Sequence, residues 1–434
     1  MADLRTLARL AAELNEDLSL CMRCGMCQAV CPLFAETGRE PDVARGKLAL
    51  LNGLARELLT RPEEIRERLT RCLLCGSCAA QCPSGVPVVD LFLKARALLT
   101  GYLGLSPLQR LFFRGLLSRP GLFHRLLDVG ARLQGLFLKP ADDICSTARA
   151  PLLSSLLQDR RLIPLAALPL HRRLPRRSPA RAPSGRTVAF FAGCLIDRLF
   201  PQVGEAVVRL LTHQGLEVVF PAGQGCCGMP ALAAGDTDTA RSLLRYHLEL
   251  FRRERCDLVL TACPTCAFAL RRLWPDLGRE LPEALRTEIA VLAAGTREVS
   301  EFLAELGPLP TSAVPPGPRL ALTYHDPCHL KKSLGVAAQP RALLQATAGY
   351  EYRELPEADR CCGLGGSFGL EEYGLSRAIG ARKREQILAT GTQVVATACP
   401  ACMVQLTDLL APARVQVKHV AEIYAAALPE EKEG

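Results

Sequence analysis

Nothing in the 434 residues approaches the roughly 20 uninterrupted apolar positions that a bilayer-crossing helix needs, which argues against a membrane span. The opening stretch, MADLRTLARLAAELNEDLSL, reads as a short amphipathic helix with acidic residues and lacks the basic start and apolar core of an export signal. A cytoplasmic, reducing setting is the expectation. No GxGxxG follows a strand-like run, and there is neither a phosphate loop nor an HExxH pair, so neither flavin nor nicotinamide has an evident seat on this chain. The string GGSFG at 365–369 fits a nucleophile-elbow pattern but follows a cysteine pair instead of ending a strand, and reads as coincidence. Aromatic residues make up only 5% of the chain, and none interleaves with Arg172, Arg173, Arg176, Arg177, Arg181 and Arg186, which supply most of the net charge of +9. That composition predicts a solvated linker and no nucleic-acid partner.

Cysteine is what the chain has in excess. It holds 20, set in spaced groups within a sequence that is 49% hydrophobic and long enough for two or three domains. Under reducing conditions grouped thiols point to metal rather than to disulfides. CMRCGMCQAVCP at 21–32 and CLLCGSCAAQCP at 72–83 share the spacing C-x2-C-x2-C-x3-C-P of the bacterial ferredoxin run, in which the fourth cysteine of each run serves the cluster of the other. Cys21, Cys24, Cys27 and Cys82 are therefore expected to hold one [4Fe-4S] cluster, and Cys72, Cys75, Cys78 and Cys31 a second. Structural zinc, which prefers paired CxxC ligands, fits the triple spacing poorly.

The second half of the chain contains a repeat. TVAFFAGC leads to GQGCCGMPALAAGD and then DLVLTACPTC, while LALTYHDPC leads to ADRCCGLGGSFG and then QVVATACPAC. The intervals agree: 31 residues between Cys194 and Cys226 and 35 between Cys227 and Cys263, against 32 between Cys328 and Cys361 and 36 between Cys362 and Cys399. Short β-rich runs alternate with helical patterns, which predicts βαβ units and a parallel sheet in each copy. The cysteines fall just past the strand ends, where ligands of such sheets gather. The expected sets are Cys194, Cys226, Cys227, Cys263 and Cys266, and Cys328, Cys361, Cys362, Cys399 and Cys402. Each can serve an iron-sulfur cluster, a zinc ion or a metal-free thiol redox site. His325 and His329 flank Cys328, placed to hydrogen-bond cluster sulfurs, to relay protons or to serve the fold alone. Cys145 and Cys256 stand outside any group and read as apolar packing. No catalytic residue is assigned.

The fold expected is an α-helical dicluster ferredoxin-type domain over 1–100, followed by two repeated α/β cysteine-rich (Cys-Cys-Gly) domains over 187–305 and 318–430. Residues 101–186 are read as a helical connector and a Pro/Arg-rich linker. Within them, the Leu/Phe-rich stretch 103–139, broken at Pro120 and Gly121, reads as a connector packed on a neighbouring domain or subunit, with a membrane-surface helix as the alternative.

This arrangement resembles the iron-sulfur subunit of glycolate oxidase. Similar layouts occur in D-lactate dehydrogenase iron-sulfur subunits, in the cysteine-rich subunit of anaerobic glycerol-3-phosphate dehydrogenase and in the catalytic subunit of heterodisulfide reductase. ARGKLALL after the first run, GQGCCG and CMVQL carry the resemblance to the glycolate oxidase branch. It implies an oxidoreductase complex in which a separate FAD subunit oxidises a 2-hydroxy acid, glycolate or D-lactate. This chain would relay the electrons to a quinone or another redox acceptor, from the cytoplasm or its membrane face. Both second CxxC pairs are complete here, Cys263 with Cys266 and Cys399 with Cys402, which is more similar to the heterodisulfide and lactate relatives. In heterodisulfide reductase this five-cysteine pattern holds a noncubane [4Fe-4S] cluster that cleaves a disulfide, an alternative for one or both copies here.

Overall fold

The computed structural model describes residues 4–141, 144–149, 160–182, 184–254, 256–307 and 318–429. The chain divides into two compact units, and the division does not follow the order of the sequence. Unit 1 gathers Met1–Ser118, Gly228–Ala240 and Arg360–Lys383; unit 2 gathers Arg119–Cys227, Arg241–Asp359 and Arg384–Gly434.

Unit 1 is helical, as the spacing of apolar residues predicts. The helices of its first 118 residues include α1 (Leu4–Ala12), α2 (Asn15–Ser19), α3 (Met26–Val30), α4 (Pro32–Thr37), α5 (Ala44–Ala55), α6 (Pro62–Thr70), α7 (Ser77–Ala80), α8 (Val88–Leu103) and α9 (Pro107–Arg110), the last running into a π-helical stretch, Leu111–Leu117. Proline opens α4, α6 and α9, where its missing N–H costs nothing and its φ is already helical. The core is largely aliphatic: Leu7, Leu51, Leu54, Leu69, Leu91 and Leu99 are buried where α1, α5, α6 and α8 meet. The segments 228–240 and 360–383 belong to the same body. Arg96 of α8 donates to Ala233 O at 2.7 Å, Thr100 to Ala234 O at 2.9 Å, and Arg71 pairs with Glu372 at 2.7 Å.

Unit 2 opens on α10 (Pro120–Phe137), again with proline at its first turn, and a short hairpin of β1 (Leu138–Pro140) with β2 (Ser146–Ala148). Two sheets follow. The first holds β3 (Arg177–Ser178), β4 (Thr187–Phe190), β5 (Glu217–Val219), β6 (Leu258–Thr261) and β7 (Thr296–Glu298) in the order β3-β5-β4-β6-β7. The second holds β8 (Leu320–His325), β9 (Tyr350–Tyr352), β10 (Val394–Thr397) and β11 (Gln416–His419) in the order β11-β10-β8-β9. All pairs are parallel except β3 with β5. Read from the first strand of each copy the two orders are the same, so the cysteine intervals mark a true structural repeat. The inner strands β4, β6, β8 and β10 are rich in Val, Ala and Leu, as strands covered on both faces require.

The Arg-rich stretch keeps all six of its arginines exposed, yet it is more than a linker: it supplies the edge strand β3 and carries ion pairs of Arg172 with Asp128, Arg173 with Glu205, Arg176 with Glu254 and Arg177 with Glu217. Composition alone hides this, because the four carboxylates lie far away in sequence.

Candidate metal centres

In the two opening runs the backbone turns the same way twice. Arg23 and Leu74, each two residues after the first cysteine, have φ of 59° and 54°; Gly25 and Gly76, each just after the second, have 86° and 71°. Two left-handed positions in so short a stretch curl the chain about a single point, and only glycine adopts the second without strain. The thiols then line two small cavities. Cys21, Cys24, Cys27 and Cys82 line one, together with Cys78; Cys31, Cys72, Cys75 and Cys78 line the other. Each cavity thus receives a cysteine from the other run, Cys31 being held at the start of α4 and Cys82 just past α7.

The surroundings suit an anionic iron-sulfur core. Burial pushes the Cys31 thiol up to about 12 and raises Cys27 and Cys78 as well. Such thiols are protonated until a metal takes the proton's place. Backbone N–H groups already face sulfur: Phe34 N donates to Cys31 Sγ at 3.5 Å and Leu74 N to Cys72 Sγ at 3.4 Å. Two buried cations stand beside the second cavity. Lys47, 1% exposed, donates to Asp42 O and Pro41 O and lies near Cys72 and Cys31. Arg96, 3% exposed, donates to Leu69 O, Thr70 O and Cys72 O as well as to Ala233 O. The first cavity is closer to water, with Cys24, Met22 and Met26 exposed.

In the first repeat all five thiols fall within unit 2 and touch one another in a chain. Cys194 hydrogen-bonds Cys226, and Cys266 hydrogen-bonds Cys227 and Cys263. These contacts, with burial, push Cys194 and Cys266 well above the usual thiol range. Cys263 is raised too: its bond with Cys266 pulls it down, but Cys399 and burial outweigh that. Gly193, at φ +68°, makes the crowding possible, since a Cβ there would stand 2.9 Å from Cys266 Sγ.

Sequence reasoning missed the residues that hold this loop. Gln224 clamps it to the end of β4, accepting from Ala192 N at 3.0 Å and donating to Phe190 O at 2.8 Å. His247, fully buried, donates from Nδ1 to Leu243 O and accepts at Nε2 from Gly225 N, and burial drops it to about 4. Trp274 Nε1 donates to Cys227 O at 3.0 Å. A cluster of His124, His171 and Asp197 has metal-like spacing. Both nitrogens of His124 and Nδ1 of His171 are already committed, to Gln224 O, Arg198 and Asp197, and the Arg198 cation faces into the cluster, so it braces the same loop.

In the second repeat Cys328, Cys399 and Cys402 belong to unit 2, while Cys361 and Cys362 open the 360–383 segment of unit 1. There Gly363 (φ +96°) donates its N–H to Cys361 Sγ at 3.5 Å, and Gly365 lies so close to Leu73 that a Cβ would come within 3.1 Å of Leu73 Cγ. The equivalent cysteines 263 and 399 meet, and the helices Pro201–His213 and Ala338–Gln345 each pack on the last helix of the other copy, Val420–Ala426 and Val299–Leu306, so the two copies in unit 2 are approximately two-fold related. His329 does not stay with its own copy: it is 3.0 Å from Thr265 Oγ1 and stacks on Phe268, both on the first copy's CxxC helix. His325 is fully buried, with neither ring nitrogen hydrogen-bonded, and lies within 4.8 Å of Cys402. Cys145 is buried as expected; Cys256 is only half-buried. No disulfide joins any of the cysteines.

A two-run ferredoxin unit combined with paired Cys-Cys-Gly sheets defines an iron-sulfur protein of the oxidoreductase type. Comparison with known proteins agrees at each level. Residues 17–86 match the 4Fe-4S dicluster domain, and residues 188–271 and 322–407 each match the cysteine-rich domain. The probable glycolate oxidase iron-sulfur subunit of Bacillus subtilis is 30% identical over 90% of this chain and 88% of its own length. The chain belongs to the glycolate oxidase iron-sulfur subunit family. Lactate utilization protein A of an Exiguobacterium species is 32% identical over 54% of this chain and 96% of its own length. One subunit of the CoM/CoB fumarate reductase of Methanothermobacter marburgensis is 33% identical over 52% of this chain, a match that spans 42% of that protein. Among the described residues no helix is long and apolar enough to cross a membrane.

Proposed function

We propose that the chain relays electrons from a flavin subunit that oxidises a 2-hydroxy acid, glycolate or D-lactate, toward a quinone or redox-protein acceptor. The observation that carries this reading is the pair of cavities in unit 1, each lined by the three closely spaced cysteines of one run and reached by the fourth cysteine of the other. On this reading Cys21, Cys24, Cys27 and Cys82 hold one [4Fe-4S] cluster, and Cys72, Cys75, Cys78 and Cys31 a second. The ten repeat cysteines hold one or two further clusters, noncubane in type. Bound clusters supply one-electron storage at low potential. The chain's own groups set the terms: N–H donors to Cys31 and Cys72 stabilise negative charge on sulfur, and Lys47 and Arg96 do the same through the low-dielectric interior. The contact of Leu73 with Gly365 supports passage from the second cavity toward Cys361 and Cys362. A second reading, reduction of a disulfide at a cysteine-rich centre, draws support from the complete five-cysteine sets.

Anaerobic preparation tests the proposal. About eight irons per chain are expected from the ferredoxin unit and up to about sixteen if both repeats are loaded. Cys24→Ser should remove one low-temperature EPR signal and stop reduction of the acceptor by glycolate or D-lactate in the co-purified complex. A colourless, zinc-only protein sinks the reading. Turnover on a disulfide but on neither acid selects the alternative.

A further inference from the structure

Helix α10 carries a feature that electron relay leaves unused. Leu122, Leu126, Val129, Leu133 and Leu136 are between 41% and 68% exposed. Their spacing of 4-3-4-3 is the a/d repeat of a helix–helix seam, running about 21 Å along the axis. The opposite side of the helix is occupied: Asp128 binds Arg172 and Arg198, His124 bonds Gln224 O, and Gln134 exchanges two 2.8 Å hydrogen bonds with the backbone of Leu165. The stripe therefore faces away from the surface on which α10 rests.

Its border is basic. Arg125 and Arg132, seven residues apart at the position next to each a residue, are exposed, and neither makes a hydrogen bond or ion pair among the described residues. No exposed carboxylate lies on α10. These charges decide among the possible occupants. Antiparallel pairing with a second copy of α10 would set one arginine row against the other. A helix lying in a bilayer surface presents a broad apolar face; on α10 the only exposed large apolar side chain beyond the stripe is Phe137, at its last position. An amphipathic helix with its own 4-3 apolar line bordered by Asp or Glu satisfies both the stripe and the arginines.

We propose that α10 is a docking helix for a partner subunit that presents such an acidic amphipathic helix. The inference rests on the reading of the chain as one member of an oxidoreductase complex, but not on which acid is oxidised. The test uses the full-length, cluster-loaded chain co-expressed with its flavin subunit, and a photo-crosslinking residue at position 129. The expected product links position 129 to a helix of another subunit with acidic residues beside its apolar line. Arg125→Glu/Arg132→Glu should weaken assembly about tenfold or more and abolish its salt sensitivity, with iron content and EPR signals unchanged. Crosslinks to lipid, to a second copy of this chain or to this chain's residues 150–159, or unchanged affinity of the charge-reversed variant, overturn the docking role. A loaded chain with which no other subunit assembles overturns the complex itself.

Discussion

Arg96 illustrates how much a single side chain can settle in this fold. A guanidinium with its charge intact is buried against four carbonyls, one of them Cys72 O, without a carboxylate in contact. Arg96→Met should leave those carbonyls unpaired and cost about 3 kcal/mol, read as a lower midpoint of chemical denaturation. In protein that still loads iron, loss of the cation should lower the potential of the second cluster by on the order of tens of millivolts in a redox titration followed by EPR. The potential of the first cluster should stay put. His247 makes a different prediction. Its pKa falls from 6.5 in the open chain to about 4 in the folded one, so the unfolded state binds the extra proton in that window. Stability is fully retained above about pH 6.5 and declines as pH drops toward 4, by about 3 kcal/mol in total. His247→Gln should flatten that slope, measured by thermal melts between pH 4 and 7. His325 stands where the first copy has Phe191, three residues before the single cysteine of each repeat. His325→Phe should change the EPR or Mössbauer signature of the second repeat's centre and leave the first repeat's unaltered.

Among the elements, α5 gives a physical reason for the ARGK string. Arg45 pairs with Glu40 at 2.6 Å and donates to Arg23 O at 3.2 Å, which ties the helix to the first cysteine loop. Gly46 lets the helix pass the backbone of Glu40, since a Cβ would sit 1.9 Å from Glu40 O. Lys47, next in line, reaches the second cavity. Gly46→Ala should therefore displace α5 from both loops, destabilising unit 1 by about 1–3 kcal/mol and making iron more easily lost to a chelator. The sequence announced this helix through its apolar spacing, and the cysteine runs announced the loops beside it, because both signals are local. Gln224, His247, Trp274 and Arg96 were silent. Each acts on backbone atoms distant in sequence, and a hydrogen bond to a distant carbonyl leaves no periodicity or spacing to read. The edge strand β3 was hidden for a similar reason: its two residues sit in a Pro/Arg-rich stretch whose partners, such as Glu217 and Glu254, are visible only after folding.

At the scale of the molecule, the repeat was legible down to single-residue agreement in its intervals, whereas its two-fold relation was not. Equivalent cysteines meeting at 263 and 399 bring the CxxC pair of the second repeat against the thiols of the first within unit 2. Paramagnetic centres held there should broaden or split one another's EPR lines, and Cys263→Ser should disturb the spectrum of both copies, not one. A single, unbroadened signal would show that only one repeat is loaded.

The threading of unit 1 has a consequence for biosynthesis. The ferredoxin unit takes its last contributions from Gly228–Ala240 and Arg360–Lys383, so the carbonyl of Ala233 that receives Arg96 and the carboxylate of Glu372 that receives Arg71 do not exist while residues 1–118 emerge from the ribosome. At ordinary translation speed the wait is on the order of tens of seconds. During it the eight early thiols stand in an unfinished shell, open to oxygen and to competing metals, and iron-sulfur assembly factors have either to guard them or to arrive after most of the chain has been made.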